Sequence, residues 1–214
     1  MFADAKAIVF DLDGTLYVNE ALAEEIRASA AGYVASLKAI DISAAKRLLE
    51  DARKRLSDGS SLKSTISAAC IEVGGDIRLL HDHFSIEIRP EMFLDRDEEL
   101  ATVLGRLSGI AELFIYTNNN RFLCGRILEC IGVSGFFRRV FTIEDSWRPK
   151  PDMIALRQVF TGIGRPPGEC VFIGDRYDVD LRLPASLGSP VCLVKSVREL
   201  KYLLQKIADH KERA

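Results

Sequence analysis

The sequence predicts an α/β fold, a doubly wound parallel sheet interrupted near its start by an all-helical segment. Two observations predict it. First, short and almost wholly apolar runs, "AIVF", "AELFIYT", "ECVFIGD" and "PVCLV", alternate with amphipathic stretches. Strands without polar alternation belong to parallel sheets covered on both faces. Second, between about Asn19 and Gly75 no such run occurs, and apolar residues recur at helical spacing instead. The length of 214 residues, 48% of them hydrophobic, suffices for one full core and a smaller accessory unit.

In chain order, Ala7 to Phe10 read as a buried strand. Three amphipathic helices follow. The first carries Leu22, Ile26, Tyr33, Leu37 and Ile40. The second carries Ala45, Leu48, Leu49, Ala52 and Leu56 and stops at Asp58-Gly59. The third carries Leu62, Ile66, Ala69 and Val73 and stops at Gly74-Gly75. Each would bury one stripe, making a small bundle. After the helix "DEELATVLGRLSGI" the alternation resumes, with the strand ending at Thr117 and the helix "RFLCGRILECIG". Next come the strand "RVFT", the helix "PDMIALRQVFTGIG" and the strand "ECVFIGD". The short helix "DVDLRLPASLG", the strand "PVCLV" and the helix "SVRELKYLLQKIA" complete the chain.

Open parallel sheets bind ligands beyond the carboxyl ends of their strands. Here the first strand end delivers Asp11 and Asp13, the second Thr117 and Asn118, the segment after the third Lys150, and the fourth Asp175, Asp178 and Asp180. Taken singly, each has a bland reading: a turn for the acid pair, a helix N-cap for Thr117, Asn119 or Asn120, an exposed loop position for Lys150. Four together at one rim form a site. Several carboxylates in one place repel unless a cation lies among them, and oxygen ligands of that kind suit Mg²⁺. A hydroxyl, an ammonium and free backbone N–H groups after Asp11 and Thr117 suit a phosphate. A carboxylate can attack a phosphoryl group to give an aspartyl-phosphate, and a second acid can move the protons.

"DLDGT", Thr117 after an apolar strand, Lys150 and "GDRYDVD" resemble, in this order, the four motifs of the haloacid dehalogenase-like hydrolase superfamily. The resemblance spans the whole chain. It implies a Rossmann-like core of residues 1–17 and 97–214 and a helical cap of residues 18–96 inserted after the first strand. A tight turn after the nucleophile would fall at Leu16 to Asn19. It further implies a Mg²⁺-dependent phosphatase acting on a small phosphomonoester. Asp11 would be the nucleophile, Asp13 the general acid/base, and Lys150 the charge-balancing cation. Gly14, Thr117, Asn118 and Lys150 would bind phosphate. Asp11, Asp13 (through its backbone carbonyl), Asp175 and Asp180 would hold Mg²⁺. Asp180 matches the longer motif spacing; Asp178 is the alternative, or caps the helix that follows. Asp13 fills the place that distinguishes phosphatases of this family from dehalogenases. A phosphomutase or phosphotransferase of the same fold is the alternative, and a phospho-accepting receiver module is the non-enzymatic one.

The substrate class expected is a sugar phosphate, phosphoglycolate or a nucleotide-like ester. Its cap contacts are sought among Tyr17, Asn19, Arg27, Tyr33 and Lys63, while Arg176 and Tyr177 are either further contacts or turn residues. With 29 basic against 31 acidic residues, no electrostatic footprint for nucleic acid is present. No apolar run approaches ~18 residues, so no membrane span is expected. The early first strand leaves no room for a signal peptide, which makes the cytoplasm the expected location and a monomer or homodimer the expected state. Five cysteines without CxxC pairing read as buried small hydrophobes. His81 and His83 have no third ligand nearby and read as packed or solvated. Trp147 either lines the pocket mouth or packs against the cap.

Overall fold

The computed structural model describes residues 5–57 and 64–211. Five parallel strands, β1 (Ala7–Phe10), β2 (Glu112–Tyr116), β3 (Arg139–Phe141), β4 (Cys170–Gly174) and β5 (Val191–Leu193), form one sheet in the order β3-β2-β1-β4-β5. The chain winds from β1 to one side through β2 and β3, then to the other through β4 and β5. The topological switch point therefore lies between β1 and β4.

Each central strand shares its side chains between two cores, which explains the continuous apolar runs. Ile8, Phe10, Leu113, Ile115, Val171 and Ile173 enter one core with α5 (Glu98–Ser108), α6 (Arg121–Cys130) and α9 (Val197–Lys211). Ala7, Val9, Phe114, Tyr116, Cys170 and Phe172 enter the other, under α7 (Met153–Ile163). Phe10 pairs in register with both Ile115 and Ile173. One residue further, Asp11, Tyr116 and Gly174 therefore end their strands at one level, and the Asp11 amide donates to the Ile173 carbonyl at 2.9 Å.

Among the described residues, four α-helices lie between β1 and α5: α1 (Glu20–Lys38), α2 (Ile42–Leu56), α3 (Ile66–Glu72) and α4 (Ile77–Glu87). Each begins at a side chain that accepts from the first turn, Asn19, Asp41, Thr65 and Asp76 respectively. Their packed face is richer in alanine than expected: Ala30, Ala31 and Val34 of α1 meet Ala45, Leu49 and Ala52 of α2 in the first core, while Leu37, Ile40 and Leu56 are exposed. The sequence reading did not separate α4, because its buried stripe is only Leu80, His81 and Phe84 and one of these is polar. Asp58, Gly59, Leu62 and Lys63, invoked above, lie outside the described residues. The tight turn after the first strand also falls earlier than Leu16–Asn19. It spans Gly14–Leu16 and is closed by the Asp13–Tyr17 bridge, with the Gly14 amide donating to the Tyr17 carbonyl at 2.9 Å.

In the last third, "DVDLRLPASLG" forms a π-helical turn, Tyr177–Leu181, running into α8 (Arg182–Ser186). Asp178 caps nothing; it is half-exposed and lies 3.7 Å from the Arg182 guanidinium. Cys70, Cys124 and Cys170 are buried, and the partly exposed Cys130 and Cys192 are likewise free thiols. Among the described residues, no helix is long and apolar enough to cross a membrane.

Polar contacts tie the inserted helices to the sheet-bearing part. The Asn19 amide donates to the Phe93 carbonyl at 2.6 Å, joining the two chain crossings. The Asn120 side chain accepts from Leu123 N at 2.7 Å to start α6 and donates to the His81 carbonyl at 2.8 Å. Trp147 packs by its ring against His81 and beneath the Arg78 guanidinium, so it belongs to this junction. His81 itself is buried, with Nε2 3.0 Å from the Ser67 hydroxyl, and burial pulls its imidazole down to about 4.

Asn120→Ala removes a helix cap and strands a buried carbonyl, at a combined cost of about 2–4 kcal/mol. Urea denaturation should show a lower midpoint with an unchanged slope. His81 binds its proton far more weakly folded than unfolded, so stability falls as pH drops below 6.5. Between pH 7 and pH 5 the protein should lose about 2 kcal/mol relative to a His81→Gln variant. Parallel pH profiles for the two chains would contradict this reading of His81.

Candidate active site

The strand ends bring together residues that are far apart in the sequence. Lys150 is 2% exposed. Its ammonium donates to Asp11 Oδ1 at 2.6 Å, Asp180 Oδ1 at 2.7 Å and the Tyr116 carbonyl at 2.9 Å. Three acceptors use all three ammonium protons. In this arrangement Lys150 balances and orients carboxylates and has no proton left for a phosphoryl oxygen. Burial works against its charge, but Asp11 and Asp180 outweigh it and hold the lysine well above its ordinary value.

Asp11 is also buried, with Oδ2 3.3 Å from the Thr15 hydroxyl. Burial, reinforced by the neighbouring Asp180 charge, pushes its carboxyl up to about 7 against the opposing pull of Lys150. Asp13 is set differently. Tyr17 donates its hydroxyl to Oδ1, and the Asn119 amide donates to Oδ2 at 2.8 Å. Both oxygens are thereby oriented, and Asp13 faces a cleft of about 600 Å³. Burial and the Asp13 charge hold the Tyr17 phenol far above its usual value, so it stays a donor.

Asp11, Asp175 and Asp180 each bring a carboxylate oxygen within 4.8 Å of the other two. Such a cluster is common without an ion, so its fit to a cation rests on two further observations. Asp175 Oδ1 is buried and has no hydrogen-bond partner among the described residues; the Arg176 Nε is 3.8 Å away. A side chain on Gly14 would place its Cβ 2.6 Å from Asp175 Oδ2, and Gly14 has φ +87°, so glycine keeps this cradle open. An oxygen-only donor set with an unused buried acceptor fits a hard divalent cation. Asp180 is the more heavily engaged ligand candidate, since Oδ2 accepts from Arg176 N at 3.2 Å while Oδ1 is held by Lys150. Asp178 points away from this cluster toward Arg182.

On the phosphate side, Asn118 Oδ1 accepts from the Lys150 amide at 2.8 Å, and its Nδ2 is buried without a partner among the described residues. The same cleft thus holds an unused donor on Asn118 and an unused acceptor on Asp175, the polarity that suits a metal–phosphate pair. Thr117 is buried, and its hydroxyl oxygen accepts from Asn119 N at 3.1 Å.

Of the cap candidates, Tyr17, Asn19 and Arg27 line the cleft, whereas Tyr33 is spent on the Asp76 backbone. Arg176 lines the cleft as well and sits 3.9 Å from Asp180 Oδ2. Three residues were missed: Asn119, which positions Asp13, and Arg53 and His81 in the cleft wall. The run of three asparagines contained a signal for the first, since two remain once one caps α6.

Three comparisons bear on this geometry. A family model described as haloacid dehalogenase-like hydrolase matches residues 5–188. The chain is 27% identical over 213 residues to pyrophosphatase PpaX of Bacillus velezensis, covering 95% of this chain and 93% of that one. Among solved structures, a HAD phosphatase from Thermococcus onnurineus superposes with a TM-score of 0.59 at 19% identity, over 93% of this chain and 97% of the other. A HAD family enzyme from Bacteroides thetaiotaomicron, in complex with magnesium and inorganic phosphate, does so with a TM-score of 0.56 at 15% identity, over 93% and 98%. These two share the fold. The family match covers the ends of β1, β2, β3 and β4, and the chain belongs to the haloacid dehalogenase-like hydrolases.

Proposed function

We propose that this hydrolase is a Mg²⁺-dependent phosphatase that hydrolyses a small phosphomonoester through an aspartyl-phosphate on Asp11. The observation that carries the reading is the division of labour between two neighbouring acids. Asp11 is buried and locked to Lys150, whereas Asp13 faces the cleft with both oxygens oriented by Tyr17 and Asn119. Asp11, Asp175, Asp180 and the Asp13 carbonyl would hold the metal, which when bound supplies positive charge to the phosphoryl oxygens and to the acid cluster. The complex of the Bacteroides enzyme with magnesium and phosphate supports this choice of ion.

In the first step an Asp11 oxygen forms a bond to phosphorus as the ester oxygen leaves. Asp13, protonated, gives its proton to that oxygen and releases the alcohol. In the second step Asp13 takes a proton from water, the water oxygen bonds to phosphorus, and the acyl-phosphate bond breaks to return Asp11. Lys150 keeps Asp11 in place through both steps, and Asn118, Thr117 and the Gly14 region receive the phosphoryl oxygens. We assign residues 18–96 to a cap over a core of residues 1–17 and 97–214, with the cleft between them where water is excluded. A second reading, hydrolysis of a phosphoanhydride such as pyrophosphate, is favoured by the name of the Bacillus velezensis relative. The same residues serve it, with phosphate as the leaving group.

Turnover of p-nitrophenyl phosphate and of pyrophosphate should vanish on exhaustive chelation and return with Mg²⁺; undiminished turnover in chelator would remove the metal from the proposal. Asp11→Asn should abolish both phosphoenzyme and product. Asp13→Asn should instead lose ~10²–10⁴-fold in steady-state rate. With p-nitrophenyl phosphate, whose leaving group needs little protonation, it should give a burst of nitrophenolate and a chain heavier by one phosphoryl group. An adduct mapping to any residue other than Asp11 would sink the assignment.

A further inference from the structure

The two hydrogen-bond partners of Asp13 differ in what they can do. Asn119 Nδ2 donates to Oδ2 at 2.8 Å, and the Tyr17 hydroxyl donates to Oδ1. An amide NH₂ only donates, so beside Asn119 the oxygen Oδ2 remains an acceptor in either form of the carboxyl group. Turning that amide over would mean rotating a buried side chain, and it would set a carbonyl against the carboxylate. A hydroxyl both donates and accepts, and it reverses by rotation about one C–O bond. Oδ1 is therefore the oxygen that can carry a proton and keep its partner.

Each partner is anchored by its own backbone. Tyr17 is buried and fixed by its bridge to Asp13, with its carbonyl accepting from the Gly14 amide at 2.9 Å. Asn119 N donates to the Thr117 hydroxyl at 3.1 Å, and the Asn119 backbone carbonyl accepts from Ile143 N at 3.1 Å. Both side chains line the cleft together with Asn118 and Asp175. Burial and the Asp13 charge hold the Tyr17 phenol far above its ordinary value, so Tyr17 keeps its own proton and acts by turning.

Resting on the phosphatase reading above, we propose that Tyr17 and Asn119 are a positioning pair that assigns the exchanged proton of Asp13 to Oδ1, with Tyr17 as the reversible partner. In the first step the proton sits on Oδ1, and the Tyr17 hydroxyl oxygen accepts its hydrogen bond until the ester oxygen arrives. The Oδ1–H bond then breaks as the O–H bond of the leaving alcohol forms, and the Tyr17 hydroxyl turns to donate to the ionised Oδ1. In the second step Oδ1 takes a proton from the attacking water, and the hydroxyl turns back. Tyr17 and Asn119 end both steps with the protons they began with.

A comparison of phenyl phosphate with p-nitrophenyl phosphate in Mg²⁺ buffer tests this. In a two-step hydrolysis kcat/KM includes only the steps up to release of the phenol, and phenol needs the proton far more than nitrophenol does. Tyr17→Phe keeps the ring and removes the hydroxyl. It should lose about 10–100-fold in kcat/KM for phenyl phosphate, the worth of one charged hydrogen bond, and roughly tenfold less for p-nitrophenyl phosphate. Asn119→Ala, which touches no contact of the Gly14–Leu16 turn, should show the same dependence on the leaving group with a smaller loss. An equal loss for both esters, or no loss, in either variant overturns the proposal, and one variant suffices if the other does not fold. A wild-type chain that hydrolyses neither ester overturns the phosphatase reading itself. Wild-type turnover with an equal loss for both esters in the variants overturns the positioning pair alone.

Discussion

The ammonium of Lys150, enclosed by Asp11, Asp180 and the Tyr116 carbonyl, is the contact on which the site depends. Two buried carboxylates facing each other without it would be an uncompensated charge, an arrangement that costs several kcal/mol. The contact joins four separate stretches of chain: the end of β1, the end of β2, the loop before α7 and the π-helical turn after β4. It also spans the switch point of the sheet. The polarity of the fold and the polarity of the site are one feature, because parallel strands in register deliver their C-terminal residues to the same level.

Around that contact, the two acids of "DLDGT" receive opposite environments. Asp11 follows directly from the strand and is buried under it, so burial and Asp180 raise its carboxyl. Asp13 lies two residues further, where the Gly14–Leu16 turn lets Tyr17 come back and donate to it. Gly14 serves both purposes: it takes a positive φ that closes the turn, and its lack of a side chain leaves room for Asp175. One short segment thereby builds a buried carboxylate, a second carboxylate that faces the cleft, and an open space beside Asp175.

The inserted helices add what the sheet cannot. They close the cleft with Arg27, Arg53, His81 and Phe84, and they are held to the sheet-bearing part by Asn19, Asn120 and Trp147. Beneath these polar and aromatic contacts, the helix–helix packing is rich in alanine and runs into the same apolar core as the sheet.

The sequence by itself determined the sheet, its parallel sense, the helical insertion and the four strand-end motifs. Apolar periodicity and strand-end polarity are local properties, set by whether a residue meets core or water. It also favoured Asp180 over Asp178 by spacing, and Asp180 is the one of the two that accepts from Lys150. It did not reveal α4, whose inward stripe contains a histidine, nor the alanine face of α1 and α2, because small residues carry little hydrophobic signal. Nor did it single out Arg53 or Asn119. A surface arginine on an amphipathic helix reads the same in one dimension whether its fork meets solvent, a glutamate or a cleft. Only the tertiary structure decides that, because the cleft that Arg53 lines is assembled by packing between distant segments.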